Sequence, residues 1–264
     1  MPSTPRLPVL KLSFAILALL AASTAYAGPP FVTDDPEPVE LHHWEIYLAT
    51  QQYHSADGWS GALPQMEVNY GALPDLQLHI IAPFAYNSPK DAPSHNGYGD
   101  TELCFKYRFV HETDSMPMVG IFPLVELPTG SLAQGLGNGK AQVFLPLWLQ
   151  KTIGAWSSYG GGGYWINPGD GNRDYWYAGW QVQRKLTEKF AAGVEVQFRT
   201  PQTVDSGSST ALNAGAMWDL TDTYHLLFSA GHTVQGRSQF QGYLALQMTL
   251  GPEEEKDKDK ASSK

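Results

Sequence analysis

Glu102-Leu103-Cys104-Phe105-Lys106-Tyr107-Arg108-Phe109 alternates without a break. Side chains of a strand point to opposite faces with a period of two. Leu103, Phe105, Tyr107 and Phe109 therefore share one face, and Glu102, Cys104, Lys106 and Arg108 share the other. The same pattern recurs along the chain. Phe190, Ala192, Val194, Val196 and Phe198 stand against Gly193, Glu195, Gln197 and Arg199. Met66, Val68 and Tyr70 stand against Gln65, Glu67 and Asn69, and Phe240, Leu244, Leu246, Met248 and Leu250 against Gln239, Gln241, Gln247 and Thr249. One apolar and one polar face per segment is the mark of a strand with different surroundings on its two sides.

From His42 onward the reading gives twelve such segments, at 42–53, 64–71, 74–86, 100–111, 116–127, 141–152, 155–166, 174–184, 189–199, 209–219, 222–233 and 238–250. Each is bounded by Gly, Pro, Asn or Asp. The links alternate in length. After even-numbered segments they are short, as at Ala72-Leu73, Ile153-Gly154 and Thr221. After odd-numbered ones they are longer and rich in Gly, Pro, Asn, Asp and Ser, as at Asn87 to Gly99, Pro128 to Lys140 and Thr200 to Ser208. The eleventh link, Val234 to Arg237, is short where a long one is expected. Tyr159 to Tyr164, with four consecutive glycines, gives no face assignment. Its glycines suit bending or close packing in a strand.

Short turns on one side, long loops on the other and an even strand number describe a transmembrane up-and-down barrel. The fold class is then all-β: an antiparallel barrel of about twelve strands, with both termini on the periplasmic, short-turn side. Twelve strands make a ring too wide for side chains to fill, which argues against a dry interior. Aromatics at segment ends (Trp44, Tyr70, Phe84, Tyr107, Phe109, Trp156, Trp176, Trp218 and Tyr224) suit the interfacial girdles of such a barrel. The apolar faces would meet outer-membrane lipid. The opposite faces would line a lumen, with Glu45, Glu67, His79, Glu102, Lys106, Arg108, Glu195, Arg199 and His225 as candidate lumen residues.

The chain ends frame this barrel. Arg6 and Lys11, the apolar run Leu12 to Ala22 and the small-x-small triplet Ala25-Tyr26-Ala27 read as an export signal, 1–27, cleaved near Ala27. No cysteine follows it. Residues 28–41 read as an extended periplasmic leader, Pro-rich and acidic. Asp34, Asp35, Glu37 and Glu40 suggest Ca²⁺ ligands, but no turn Gly stands among them, so a solvated charge run is the expectation. The barrel then covers 42–252. The tail 253–264 is charged and reads as a solvated, disordered end.

Composition narrows the function. Of 264 residues only 16% are charged, with 17 Lys+Arg against 26 Asp+Glu and a net charge of −9. An acidic chain is a poor partner for nucleic acid, which needs a basic face. The single cysteine, Cys104, excludes an internal disulfide and any multi-cysteine metal centre. No cofactor-binding motif and no metal-ligand spacing are read. For an outer-membrane hydrolase, His79, His225, His232 and Ser229 are the available groups, but no Gly-x-Ser-x-Gly elbow is present. Cys104 shares its face with Lys106 and Arg108 and reads as an incidental lumen residue.

Tyr70-Gly71-Ala72-Leu73-Pro74-Asp75-Leu76-Gln77-Leu78 resembles the hairpin of many outer-membrane barrels. Gly97-Tyr98-Gly99-Asp100, leading to Lys106-Tyr107-Arg108-Phe109 and then Leu127-Pro128-Thr129-Gly130, resembles the outer-membrane proteins of the "MetA-pathway of phenol degradation" family. The resemblance spans most of the chain beyond residue 27. It implies a transporter-like barrel in the outer membrane of a Gram-negative-type bacterium, associated with uptake of aromatic or other hydrophobic compounds. The expectation is a non-enzymatic channel or facilitator for small, hydrophobic or aromatic molecules, its partners being outer-membrane lipid and a small solute. The alternatives are a soluble periplasmic β-barrel that binds a ligand, and an outer-membrane hydrolase. The oligomeric state is open.

Overall fold

A computed structural model describes residues 29–252. The expected export signal and the charged tail lie outside the described residues. Fourteen strands follow one another: β1 (Trp44–Ser55), β2 (Gly58–Leu73), β3 (Leu76–Pro89), β4 (His95–Tyr98), β5 (Thr101–Val110), β6 (Met118–Ile121), β7 (Leu124–Leu127), β8 (Gln142–Ile153), β9 (Trp156–Ile166), β10 (Tyr175–Thr187), β11 (Phe190–Arg199), β12 (Ser209–Asp219), β13 (Tyr224–Gln235) and β14 (Gln239–Leu250). They make twelve staves. β4 and β5 continue one another along β3, broken only at Gly99-Asp100. β6 and β7 continue one another along β5 and β8, broken at Phe122-Pro123.

The ring closes where the first strand pairs with the last, from Trp44 opposite Leu250 to Ser55 opposite Gln239. Every pairing between strands is antiparallel, and the β1–β14 seam closes the ring. The two faces part as the alternation requires. Val194 is 61% exposed on the outer wall, while Glu195 beside it is 2% exposed on the inner wall. Leu103, Phe105, Tyr107 and Phe109 are all exposed, as are Trp44, Trp156, Trp176, Trp218 and Tyr224 toward the strand ends. An outward apolar belt of this kind is stable in lipid. This is a closed twelve-stranded β-barrel with an apolar outer wall.

The links depart from the expected alternation in three places. The link read as 87–99 shortens to 90–94, because β3 runs on to Pro89 and β4 covers His95–Tyr98, and the one read as 112–115 widens to 111–117. The first outer link, read as 54–63, is a two-residue turn at Ala56-Asp57, because β1 and β2 run on as a paired ribbon. The weak alternation of Trp59 to Leu63 hid the strand. A shift of register between Ala49 and Gln51 lets the ribbon bend there.

The glycine run in β9 is explained by contact. A Cβ on Gly160 would meet Gly179 O at 2.5 Å, one on Gly162 would meet Tyr177 O at 2.3 Å, and one on Gly163 would meet Leu145 O at 2.3 Å. β9 lies unusually close to both neighbours, and Tyr159, with no exposure, fills the inside.

Candidate functional site

The lumen is not empty. Residues 29–41, read from the sequence as part of an extended periplasmic leader, enter from the turn end and pack inside the barrel. Thr33 and Asp35 have no exposure, and Phe31, Pro36 and Val39 are also buried. Backbone taken into a barrel must satisfy its donors there. Prolines 29, 30, 36 and 38 have no N–H to satisfy. Five of the remaining amides find acceptors. Val32 N and Thr33 N donate to the Glu195 carboxylate. Asp35 N donates to Asp34 Oδ1, Glu37 N to Asp35 Oδ1, and Val39 N to Gln77 Oε1 at 2.9 Å.

The inner wall is cut to fit this segment. A Cβ on Gly71 would lie 1.9 Å from Glu40 O, and one on Gly179 would lie 2.0 Å from Thr33 Oγ1. Glycine is the residue that lets the leader backbone pass so near the strands.

Asp34, Asp35 and Glu37 are therefore not a solvated charge run, and only Glu40 of the cluster stays exposed. Lys106 Nζ, itself buried, lies 2.9 Å from Asp34 Oδ1 and 3.3 Å from Asp35 Oδ2. Complete burial pushes the Asp35 carboxyl above the usual carboxylate range, and the Lys106 charge pulls against that. Burial likewise raises Glu37, opposed by a hydrogen bond from Gln150 Nε2 at 3.0 Å.

The candidate lumen residues fall into groups. Glu195 is a hub: besides the leader amides, it accepts from Gln197 Nε2 at 2.9 Å and Asn213 Nδ2 at 2.7 Å. Glu45 accepts from the Tyr47 hydroxyl at 2.7 Å, and His225 pairs with Asp219 at 2.8 Å near the turn end. Glu67 lies 3.7 Å from His79. Arg108 sits at the turn-end rim, 2.9 Å from Asp75, and does not line the remaining space. A small desolvation would raise Asp75, but the Arg108 hydrogen bond and charge, helped by His111, hold it below its usual value. Arg199 stands over the Tyr177 ring at 5.5 Å near the loop end. Glu102 projects into the lumen close to His79 and Cys104.

Beside the leader a cavity of about 1230 Å³ remains. Its lining reaches from His43 and Thr249 near the turn end to Gln202 and Gln239 near the loop end. The sequence reading missed one part of it. On the loop side of the leader, Phe144 stacks on Trp165 (centroids 4.8 Å, 11° between planes), and Trp165 on Tyr175 (5.8 Å, 11°). Tyr177, Trp148, Phe122 and Leu124 extend this apolar wall. The available signal was the run Val143-Phe144-Leu145-Pro146-Leu147-Trp148-Leu149, apolar on both faces.

The loop-end motifs also come together. The Asp100 carboxylate accepts from Gly130 N at 2.8 Å and Asn138 N at 2.6 Å. Thr129 Oγ1 donates to Gly99 O at 2.7 Å, and a Cβ on Gly130 would lie 2.3 Å from Leu136 O. Gly99-Asp100 and Thr129-Gly130 thus fold the long 128–141 loop back against the stave break.

Residues 66–248 match the family model described as "Putative MetA-pathway of phenol degradation". The chain belongs to this family. Among solved structures, the fold is similar to the COG4313 outer membrane channel from Pseudomonas putida F1, at 16% identity and a TM-score of 0.69 over 85% of this chain and 100% of that one. The NanC porin gives a TM-score of 0.56 at 7% identity over 78% and 100% of the two chains. The KdgM porin gives 0.53 at 9% identity over 78% and 99%. No curated protein matches the chain significantly in sequence.

Proposed function

We propose that the protein is a passive channel for small apolar or aromatic molecules, which bind against the aromatic wall of the lumen. The observation that carries this is the inward panel Phe144–Trp165–Tyr175, facing a cavity of about 1230 Å³ in a barrel of the channel and porin fold. Ligand pockets are mostly apolar, with a few placed polar groups, and span roughly 300–1,000 Å³. Flat rings accept a planar solute by offset stacking, worth about 0.5–1.5 kcal/mol per pair beyond the area buried. Arg199 and Gln202 at the loop end supply polar contacts for a ring substituent. The family's description in terms of phenol degradation supports the same solute class. No catalytic step enters this reading: Glu195, Gln77, Lys106 and Gln150 bind the leader.

The test is influx into proteoliposomes. Wild-type barrel should admit a neutral monocyclic aromatic faster than a sugar of similar mass. Trp165→Ala with Phe144→Ala should lower the aromatic rate about tenfold and leave the sugar rate unchanged. Equal loss for both solutes, or no loss for either, refutes the assignment of the panel.

A further inference from the structure

We propose that His79, Glu102 and Cys104 form a binding site for a thiophilic divalent cation, with Zn²⁺ as the type, on the inner wall of the barrel. An imidazole nitrogen, a carboxylate oxygen and the thiol sulfur lie within 4.8 Å of one another. In a tetrahedral zinc site with bonds of about 2.0–2.3 Å, ligand atoms stand roughly 3.5 Å apart. Small side-chain rotations therefore close the set on an ion. Spacing along the chain conceals this cluster, because the β3–β5 ladder assembles it. His79 is directly opposite Cys104, and Glu102 is two residues on along the same face.

Two further observations point to a cation. The first is the orientation of the imidazole. Asn69 Nδ2 donates to Glu67 Oε1 at 2.9 Å, which turns Asn69 Oδ1 toward Gln77 Nε2 (2.7 Å) and His79 Nδ1 (2.5 Å). Asn69 Oδ1 can only accept, so His79 Nδ1 carries the proton and Nε2 keeps its lone pair. A hydrogen bond that fixes the tautomer and ring of a ligating histidine is the usual support of a metal site. The second is unanswered charge. Neither the Glu102 carboxylate nor the Cys104 thiol has a hydrogen-bond or ion-pair partner among the described residues. Glu126 stands opposite Glu102 in the next ladder and adds another carboxylate. The neighbouring Lys106 is already held by Asp34 and Asp35. A bound cation supplies the missing positive charge.

The donor set selects the ion. Mixed N, O and S donors suit Zn²⁺ and its relatives, whereas Mg²⁺ and Ca²⁺ require oxygen ligands. Three protein donors leave a fourth position for water, as in open zinc sites.

The full barrel, refolded in detergent and stripped with chelator, is titrated with Co²⁺ and with Zn²⁺. Co²⁺ should give a saturable one-to-one thiolate-to-metal charge-transfer band that Zn²⁺ abolishes. Because Cys104 is the only cysteine, Zn²⁺ should also slow its alkylation by a maleimide, a readout that needs no variant. Cys104→Ser should remove the band. His79→Gln, Glu102→Gln and Asn69→Ala should weaken Zn²⁺ binding by about tenfold to a hundredfold, while His232→Gln leaves it unchanged. Folding of each variant is checked by its heat-dependent gel mobility. Absence of the band and of maleimide protection in folded wild type overturns the site. So does Zn²⁺ affinity unaltered in folded His79→Gln and Glu102→Gln.

Discussion

Replacing Lys106 with Met should unseat the leader. Lys106 Nζ faces Asp34 and Asp35 at 2.9 and 3.3 Å in a buried setting. At an effective dielectric constant near 20, each contact carries about 5 kcal/mol of gross attraction. Desolvation cancels most of this, but removing one partner leaves two carboxylates buried together without their cation. Losses of about 3–5 kcal/mol are typical of that situation. At about 1.4 kcal/mol per factor of ten, seating weakens by roughly 10²- to 10⁴-fold. The Glu195, Gln77 and Gln150 hydrogen bonds remain but cannot replace it. The assay is single-channel conductance in planar bilayers, with a chain lacking residues 29–41 as the open reference. Lys106→Met should conduct like that reference for most of the record. Combining it with Asp34→Asn and Asp35→Asn removes the charges together and should restore wild-type conductance. Wild-type conductance in Lys106→Met, beside an open reference that conducts freely, refutes the reasoning.

Val194→Arg places a charge on the lipid-facing wall and should destabilise the barrel by about 2–4 kcal/mol at mid-bilayer depth, whereas Gln51→Arg, facing the lumen, should cost far less; urea unfolding from vesicles measures the difference, and equal costs contradict the face assignment. Asp100→Ala strands the Gly130 and Asn138 amides, so their hydrogen exchange should accelerate by about one to two powers of ten, from about 1.5–3 kcal/mol per charged hydrogen bond; unchanged exchange shows that the carboxylate does not hold the loop. Asp75→Asn should cost up to about 1 kcal/mol at neutral pH, since the Arg108 pair is partly exposed. Because the folded Asp75 carboxyl is held below its usual value, its contribution is present above the ordinary carboxylate pKa and disappears as pH falls through the folded one. Variant and wild type should therefore converge in acid, and a constant gap across pH refutes the pairing.

Strand number and wall orientation were legible because period-two alternation is local: Leu103 and Glu102 already differ in the sequence as they do across the wall. The short turn at Ala56-Asp57 was not legible, since Trp59-Ser60-Gly61-Ala62-Leu63 shows too little contrast between its faces. The place of residues 29–41 was hidden for a different reason. A proline-rich acidic segment looks the same whether water or a ring of glutamines and a lysine surrounds it, and Lys106 lies far along the chain from Asp34. The inward aromatics of β8, β9 and β10 escaped because an apolar residue on a polar face reads as noise in a strand pattern. The convergence of His79 with Cys104 needed the ladder register, which loop lengths alone do not give.

The leader bends into the barrel at Leu41–His42, where His42 takes a positive φ of 62° and its N–H donates to Gly71 O at 2.7 Å. Because this end is covalently joined to β1, the leader behaves as a tethered ligand of its own barrel. A short flexible tether holds its cargo at an effective concentration of about millimolar. Any solute that displaces the segment competes against that standing concentration, and the vacancy refills once the solute has passed.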